Sequence, residues 1–141
     1  MKTLDGAYVV ITDGDLIVTV EHNQAAYDRD LEGQVWGITG GRIDSGETEE
    51  DAARREGFEE SGVIITNLIK LGTFKSKVIS EGRILDNTTH LFWSQENELE
   101  KKIRKEATSE ICQVKLATPC DIREMRNVFM LSSLRMILMC K

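Results

Sequence analysis

Gly41-Arg42-Ile43-Asp44-Ser45-Gly46-Glu47-Thr48-Glu49-Glu50-Asp51-Ala52-Ala53-Arg54-Arg55-Glu56-Gly57-Phe58-Glu59-Glu60-Ser61-Gly62-Val63 is the stretch on which the reading of this 141-residue chain turns. Ala52, Ala53, Arg54, Arg55, Glu56, Glu59 and Glu60 are mostly competent helix formers. Thr48 stands three residues before Asp51, in the manner of an N-terminal capping box. Gly62 is placed to close the helix in a left-handed conformation. A helix is therefore expected near 48–61. On a helix that turns about 100° per residue, Glu56, Glu59 and Glu60 at i, i+3 and i+4 project within one narrow arc. Like charges at these spacings repel by roughly 0.2–0.5 kcal/mol per pair. Taken alone, the three glutamates fit a solvated acidic face. A divalent cation removes the repulsion and takes the same oxygens as ligands; magnesium suits hard carboxylates and bridges to phosphates, and manganese suits the same set. Ala52 and Ala53 are expected to leave room above the carboxylates, with Phe58 pointing nearly opposite as an anchor.

The residues around the arc decide for the metal. Gly41 is followed, after five intervening residues, by Glu47; after seven more come Arg55-Glu56, then Glu59-Glu60, then Gly62-Val63. This spacing resembles the signature of the Nudix hydrolase family, with seven specified positions and an aliphatic one matched. The resemblance implies an α/β fold, a Nudix-type α/β/α sandwich whose mixed β-sheet presents a catalytic loop–helix–loop, in a single domain over 1–141. It implies a metal-dependent hydrolase that cleaves a diphosphate (pyrophosphate) bond in a nucleoside diphosphate linked to another moiety. By the same resemblance Glu56, Glu59 and Glu60 hold Mg2+ or Mn2+, and Glu59 or Glu56 serves as base, with Arg55 in the catalytic set. Glu47 pairs with Arg55 to steady the loop, and Gly62 ends the helix. Gly40 and Gly41 let the backbone approach the phosphates, a role that the missing Cβ permits. Trp36 on the approach to these glycines is a substrate contact. Glu110 and Glu106 are the candidates for a further acid from a later loop or strand. Three positions depart from the family pattern: Gly57 replaces an aliphatic residue, Thr39 a proline, and Asp44 a frequent glutamate.

Working outward, Ala7–Val20 holds two β-branched runs around Asp13-Gly14-Asp15, a hairpin signal. Glu21–Gln34 reads as a loop, and Val35–Ile38 as a short strand running into the glycines. Strands are expected near 63–79 and 84–94, joined by a turn at Ser80-Glu81-Gly82-Arg83. Asn97–Lys105 reads as charged and solvated. A last strand near 111–117 precedes Pro119, which can open a helix. Apolar positions at Ile122, Met125, Val128, Phe129, Leu131, Leu134, Ile137 and Leu138 predict an amphipathic helix over 121–139, docked on the core.

Composition sets the outer limits. The chain is 40% hydrophobic and 30% charged, as a globular domain is. No apolar run approaches the roughly 18 residues of a membrane helix, and the N-terminus lacks the pattern of a secretion signal. Cys112, Cys120 and Cys140 form no close metal-ligand pair. A cytoplasmic protein with no membrane partner is expected. The net charge of −6 gives no DNA-binding signal, whereas metals admit an anionic small-molecule nucleotide substrate. The family resemblance adds a possible homodimer. The Val78-Ile79-Ser80-Glu81 stretch carries neither the proline associated with ADP-ribose nor the tyrosine associated with dinucleoside polyphosphates. Nucleoside triphosphates, nucleotide sugars, dinucleoside polyphosphates and RNA ends remain open. The competing reading is a nucleotide-binding or regulatory module on the same scaffold, without hydrolysis.

Overall fold

The computed structural model describes residues 3–23, 35–124 and 128–129. The expected hairpin is present as β1 (Thr3–Asp13) and β2 (Leu16–His22), turning through Gly14, whose φ of 59° suits the residue. β2 runs further than the sequence implied, taking in Glu21 and His22, both buried. The chain then forms β3 (Val35–Gly37), bends at Ile38, and continues as β4 (Thr39–Arg42). Next come α1 (Glu49–Ser61), β5 (Ile69–Ser80), β6 (Arg83–Gln95), α2 (Leu99–Lys102), β7 (Ile111–Ala117), α3 (Pro119–Glu124) and β8 (Val128–Phe129).

The sheet is mixed and branched. β1 runs parallel to β6 along its length but pairs with β2 only at Thr12 and Asp13, next to the hairpin turn. Beyond that point the two strands part. β4 takes the vacated edge of β1 from Gly6 to Val9, and β3 takes that of β2 from Val20 to His22. β7 flanks the other edge of β2, β8 runs parallel to β3, and β5 closes the far side against β6. Side chains alternate between the faces of a strand. Ala7, Val9, Ile11 and Val18 thus meet Ala52 and Ala53 of α1 on one face. Val10, Ile17, Ile38, Leu91 and Ala117 meet Ile122 of α3 on the other. Helices on both faces make the α/β/α sandwich.

Helix α1 is specified as its ends predict. Thr48 accepts from the Asp51 N–H at 3.1 Å while its own N–H reaches the Asp51 carboxylate at 3.3 Å. Gly62, at φ 83°, donates to the Phe58 carbonyl at 2.8 Å. Arg104 covers the remaining end of the helix, donating to the Glu59 and Phe58 carbonyls.

Several expectations are corrected. Ala52 and Ala53 are buried against the sheet, so their small size serves close packing and opens no space above the carboxylates. Phe58 is 47% exposed and anchors nothing. Gly57 takes the inward position, where an added Cβ would lie 2.5 Å from Ile65 Cδ1 and 3.1 Å from Val9 Cγ1. Residues 63–68 are not strand, because side chains claim their backbone groups: Arg54 donates to the Ile65 carbonyl at 2.7 Å, and Thr66 N–H donates to Glu96 at 3.3 Å. Asn97–Lys105 is solvated only in part, since Leu99 and Ile103 bury their side chains in the core beneath α1. In place of one long C-terminal helix, the described residues hold α3 at Pro119–Glu124, and Val128–Phe129 pair with Trp36 and Gly37. Met125, Leu131, Leu134, Ile137 and Leu138 lie outside the described residues.

The Gly57 environment opposes two effects of similar size. Alanine gains about 1 kcal/mol of helix propensity, while overpacking a filled core costs about 1–3 kcal/mol. Gly57→Ala is expected to lower stability by about 1 kcal/mol in denaturant unfolding. Ile65→Val, which removes the opposing methyl, should recover part of that loss in the double mutant. A Gly57→Ala protein more stable than its parent would show that packing is not why glycine stands there.

Candidate metal and phosphate site

The loop from β4 to α1 wraps around one guanidinium. Arg55 Nε donates to Glu47 Oε2 at 2.7 Å and Nη2 to Glu47 Oε1 at 3.0 Å, a bidentate pair. Nη2 also reaches the Arg42 carbonyl at 3.1 Å and lies 3.3 Å from Asp44. Nη1 reaches Glu56 at 2.9 Å and Glu59 at 3.3 Å. Glu47 in turn accepts from the Asp44 N–H at 2.8 Å, so one carboxylate ties the loop both to itself and to the helix. The Arg55 guanidinium holds the Glu47 carboxyl below its ordinary range, with the Asp44 N–H assisting.

The three glutamates of the arc sit in different surroundings. Glu59 is on the outer side, its side chain 56% exposed. Glu56 is largely covered, and burial pushes its carboxyl up against the opposing pull of Arg55. Its carboxylate also lies over Gly41, where a Cβ would come within 2.6 Å of Glu56 Cδ. Glu60 is buried, and Gly40 N–H donates to its Oε1 at 2.7 Å. Burial pushes the Glu60 carboxyl up to about 8, the Gly40 hydrogen bond opposing and the charges of Glu56, Glu110 and Glu59 adding to the rise. Gly40 has φ 156°, and the Tyr8 ring fills the space a Cβ would need, at 2.2 Å.

His22 lies with Nδ1 3.8 Å from Glu60 Oε2. Burial lowers the imidazole to about 4. Burial thus disfavours the charged form of both partners, raising Glu60 and lowering His22.

Of the two later acids, Glu110 is the one whose charge reaches Glu56 and Glu60; its backbone carbonyl also accepts from the Asn23 N–H at 2.8 Å. Glu106 is exposed in the segment between α2 and β7. Trp36 is buried on β3 opposite Glu21, on the sheet face turned away from α1. It therefore does not share the glutamate arc. The sequence reading missed Arg42 and Arg104, which act through backbone groups, and noted Asp44 only as a departure from the family pattern, without its contact to Arg55. It also missed Glu21, which the alternation of β2 would have revealed had the strand been carried two residues further.

Among the described residues no group of three or more His, Cys, Asp or Glu side chains closes on one point as a metal cage does. Glu56 and Glu59 turn to Arg55, and Glu60 turns to Gly40. The donor chemistry nonetheless fits a hard divalent cation. Carboxylate oxygens on adjacent turns, one of them pressed against a glycine and repelled by Glu59 and Glu110, are the ligand type such an ion takes.

A sequence model of the NUDIX domain matches residues 2–135. The chain belongs to this family. Over 57 residues, 40% of this chain, it is 44% identical to an oxidized purine nucleoside triphosphate hydrolase of Danio rerio and 37% identical to that of Mus musculus. The match spans 35% of each relative's length. Among solved structures, the MutT NUDIX hydrolase from Burkholderia pseudomallei superimposes with a TM-score of 0.71 at 16% identity, covering 95% of both chains. The NUDIX domain of Shewanella oneidensis NrtR, complexed with ADP ribose, gives 0.72 at 18% identity, covering 98% of this chain and 90% of the other. These two likenesses speak to the fold. Among the described residues no helix is long and apolar enough to cross a membrane.

Burial at Glu60 and His22 makes stability depend on pH with opposite signs. A buried acid raised from 4.5 to about 8 holds its proton longer folded than unfolded, so stability falls as pH rises through that interval. A histidine lowered from 6.5 to about 4 binds its proton more readily unfolded, so stability rises with pH between those values. The two oppose each other below pH 6.5, and only Glu60 acts from there to about 8. With chelator present, the unfolding free energy should decline over that upper window, and Glu60→Gln should flatten the decline. An equal slope in the variant would assign it to other groups.

Proposed function

We propose that this chain is a divalent-metal-dependent pyrophosphohydrolase that cleaves a diphosphate bond in a nucleotide, with nucleoside triphosphates as the first substrate class to test. The observation that carries the reading is Arg55, which joins Glu47, Glu56 and Glu59 in one hydrogen-bonded unit at the foot of the glycine turn. The vertebrate relatives support triphosphates as the starting class.

In this reading Glu56, Glu59 and Glu60 hold Mg2+ or Mn2+, which supplies the chemistry of a lowered water pKa and neutralised phosphate oxygens when bound. Glu59, the exposed member of the arc, takes the proton of the attacking water; Glu56 is the alternative base. Gly40 and Gly41 let the strand backbone pack against Tyr8 and the Glu56 carboxylate, an approach any Cβ would block, and so set the turn beside the arc at which the phosphates are bound in this reading. Arg55 is a positioning residue: it sets the direction of Glu56 and Glu59 and fastens the loop through Glu47. Gly62 fixes where the helix ends and so the phase of the arc. Glu110 is the further acid nearest in charge to the site, ahead of Glu106.

A substrate panel of nucleoside triphosphates, ADP-ribose, nucleotide sugars and diadenosine polyphosphates, run with magnesium, with manganese and with chelator, tests the assignment by product masses. Glu59→Gln is expected to lower kcat by about 10²- to 10⁴-fold, the range of a lost general base, with thermal unfolding little changed. Turnover that persists in chelator, or is unaffected in Glu59→Gln, removes this role. Saturable nucleotide binding without any product moves the chain to the binding-module reading.

A further inference from the structure

Glu21 is buried, with 7% of its surface exposed. Among the described residues its Oε2 is the buried side-chain oxygen without a hydrogen-bond partner. An ionised carboxylate only accepts, so the missing partner is a donor. Such an oxygen is costly to keep dry, so its retention in a folded chain calls for a physical reason.

Its position says what it faces. Glu21 pairs across the sheet with Trp36 on β3 and with Gln113 on β7, so these three side chains form a row on the face turned from α1. The next residue, His22, turns to the other face and approaches Glu60 at 3.8 Å. One step of β2 therefore separates the carboxylate arc from Glu21. The row begins where the sheet branches and β3 replaces β1 beside β2.

We propose that Glu21 is the specificity-determining residue for the base of the nucleotide, accepting at Oε2 a hydrogen bond from an exocyclic amino group beside Trp36. This rests on the nucleotide reading given above and deepens it. A phosphate is repelled by a buried carboxylate, so an anionic substrate is oriented with its phosphates toward the Gly40–Gly41 turn and its uncharged base toward Glu21. Guanine, adenine and cytosine carry an amino group; uracil and hypoxanthine carry carbonyl oxygens and a ring N–H but no amino group. A site with a buried acceptor discriminates against a ligand lacking the donor, because the acceptor is then left dry and unpaired.

The test uses nucleoside monophosphates, which contain no diphosphate bond and bind without being cleaved. Affinities of GMP, AMP, IMP, CMP and UMP are measured by calorimetry on the full chain with magnesium, for wild type, Glu21→Gln and Glu21→Asp. In wild type, at least one pair that differs in the amino group (GMP against IMP, AMP against IMP, or CMP against UMP) should differ by about 10- to 100-fold, as for a hydrogen bond to a charged acceptor. Glu21→Gln should reduce that ratio at least tenfold and leave the affinity for the amino-free partner nearly unchanged. Glu21→Asp, which keeps the charge but withdraws it, should fall between. An undiminished ratio in Glu21→Gln overturns the proposal, as does the absence of any amino-group preference or of any monophosphate binding in wild type. If neither variant folds, Glu21 is a structural residue and the proposal falls. A Glu21-dependent preference in a protein that turns over no triphosphate supports the base site and counts only against the hydrolase. Turnover with no Glu21 effect does the reverse.

Discussion

The organisation of the site depends on Arg55. A guanidinium presents donors in a fixed planar fork, and here the fork is used on every side: Glu47 on one edge, Glu56 and Glu59 on another, and the Arg42 carbonyl between strand and helix. A lysine at this point offers charge but no plane, and cannot hold a loop and a helix face in one orientation. The arrangement also answers an electrostatic problem. Glu56, Glu59 and Glu60 lie toward the C-terminal end of α1, where the helix dipole disfavours negative charge, and no basic residue occupies the last turn. Arg55 supplies a counter-charge within the arc, and Arg104 arrives from outside the helix to take its last carbonyls.

A second constraint is steric. Gly40, Gly41 and Gly57 are three places where an ordinary side chain collides with a neighbour already in contact, namely Tyr8, the Glu56 carboxylate and Ile65. Gly40 lets the strand lie against Tyr8 of β1 and Gly41 lets it lie against Glu56 of α1, and at this approach Gly40 N–H reaches Glu60. The third lets α1 lie against the residues that follow it. The depth at which Glu60 sits, and therefore its raised carboxyl, follows from this close approach rather than from the acid itself.

What could be read from the chain divides along physical lines. Local signals were legible: the Thr48–Asp51 cap, the Gly62 stop, the Asp13-Gly14-Asp15 turn and the spacing of the glutamates each act over a few residues. Non-local choices were not. Nothing around Val35–Arg42 announces that the segment splits its pairing between β2 and β1, because that depends on where those strands part. Thr66 and Ile65 have strand-like character but lose their ladder to Glu96 and Arg54, distant or helical side chains that periodicity does not weigh. Leu99 and Ile103 are hidden among charges, yet they are the residues that enter the core. Trp36 was singled out for its nearness in sequence to the glycines, but strand alternation puts it across the sheet from the arc.

That last displacement gives the sheet a division of labour. One face of the β2 end meets the carboxylate arc through His22, and the opposite face carries Glu21 with Trp36. Both acids are buried, yet for different reasons. Glu60 has a backbone donor and like-charged neighbours, surroundings that suit a cation, whereas Glu21 has an oxygen with no donor on the described chain. A nucleotide is itself divided in this way, with its charge at one end and its neutral hydrogen-bonding edge at the other. In the nucleotide reading proposed above, β2, with His22 turned to Glu60 on one face and Glu21 on the other, would orient such a molecule in one direction.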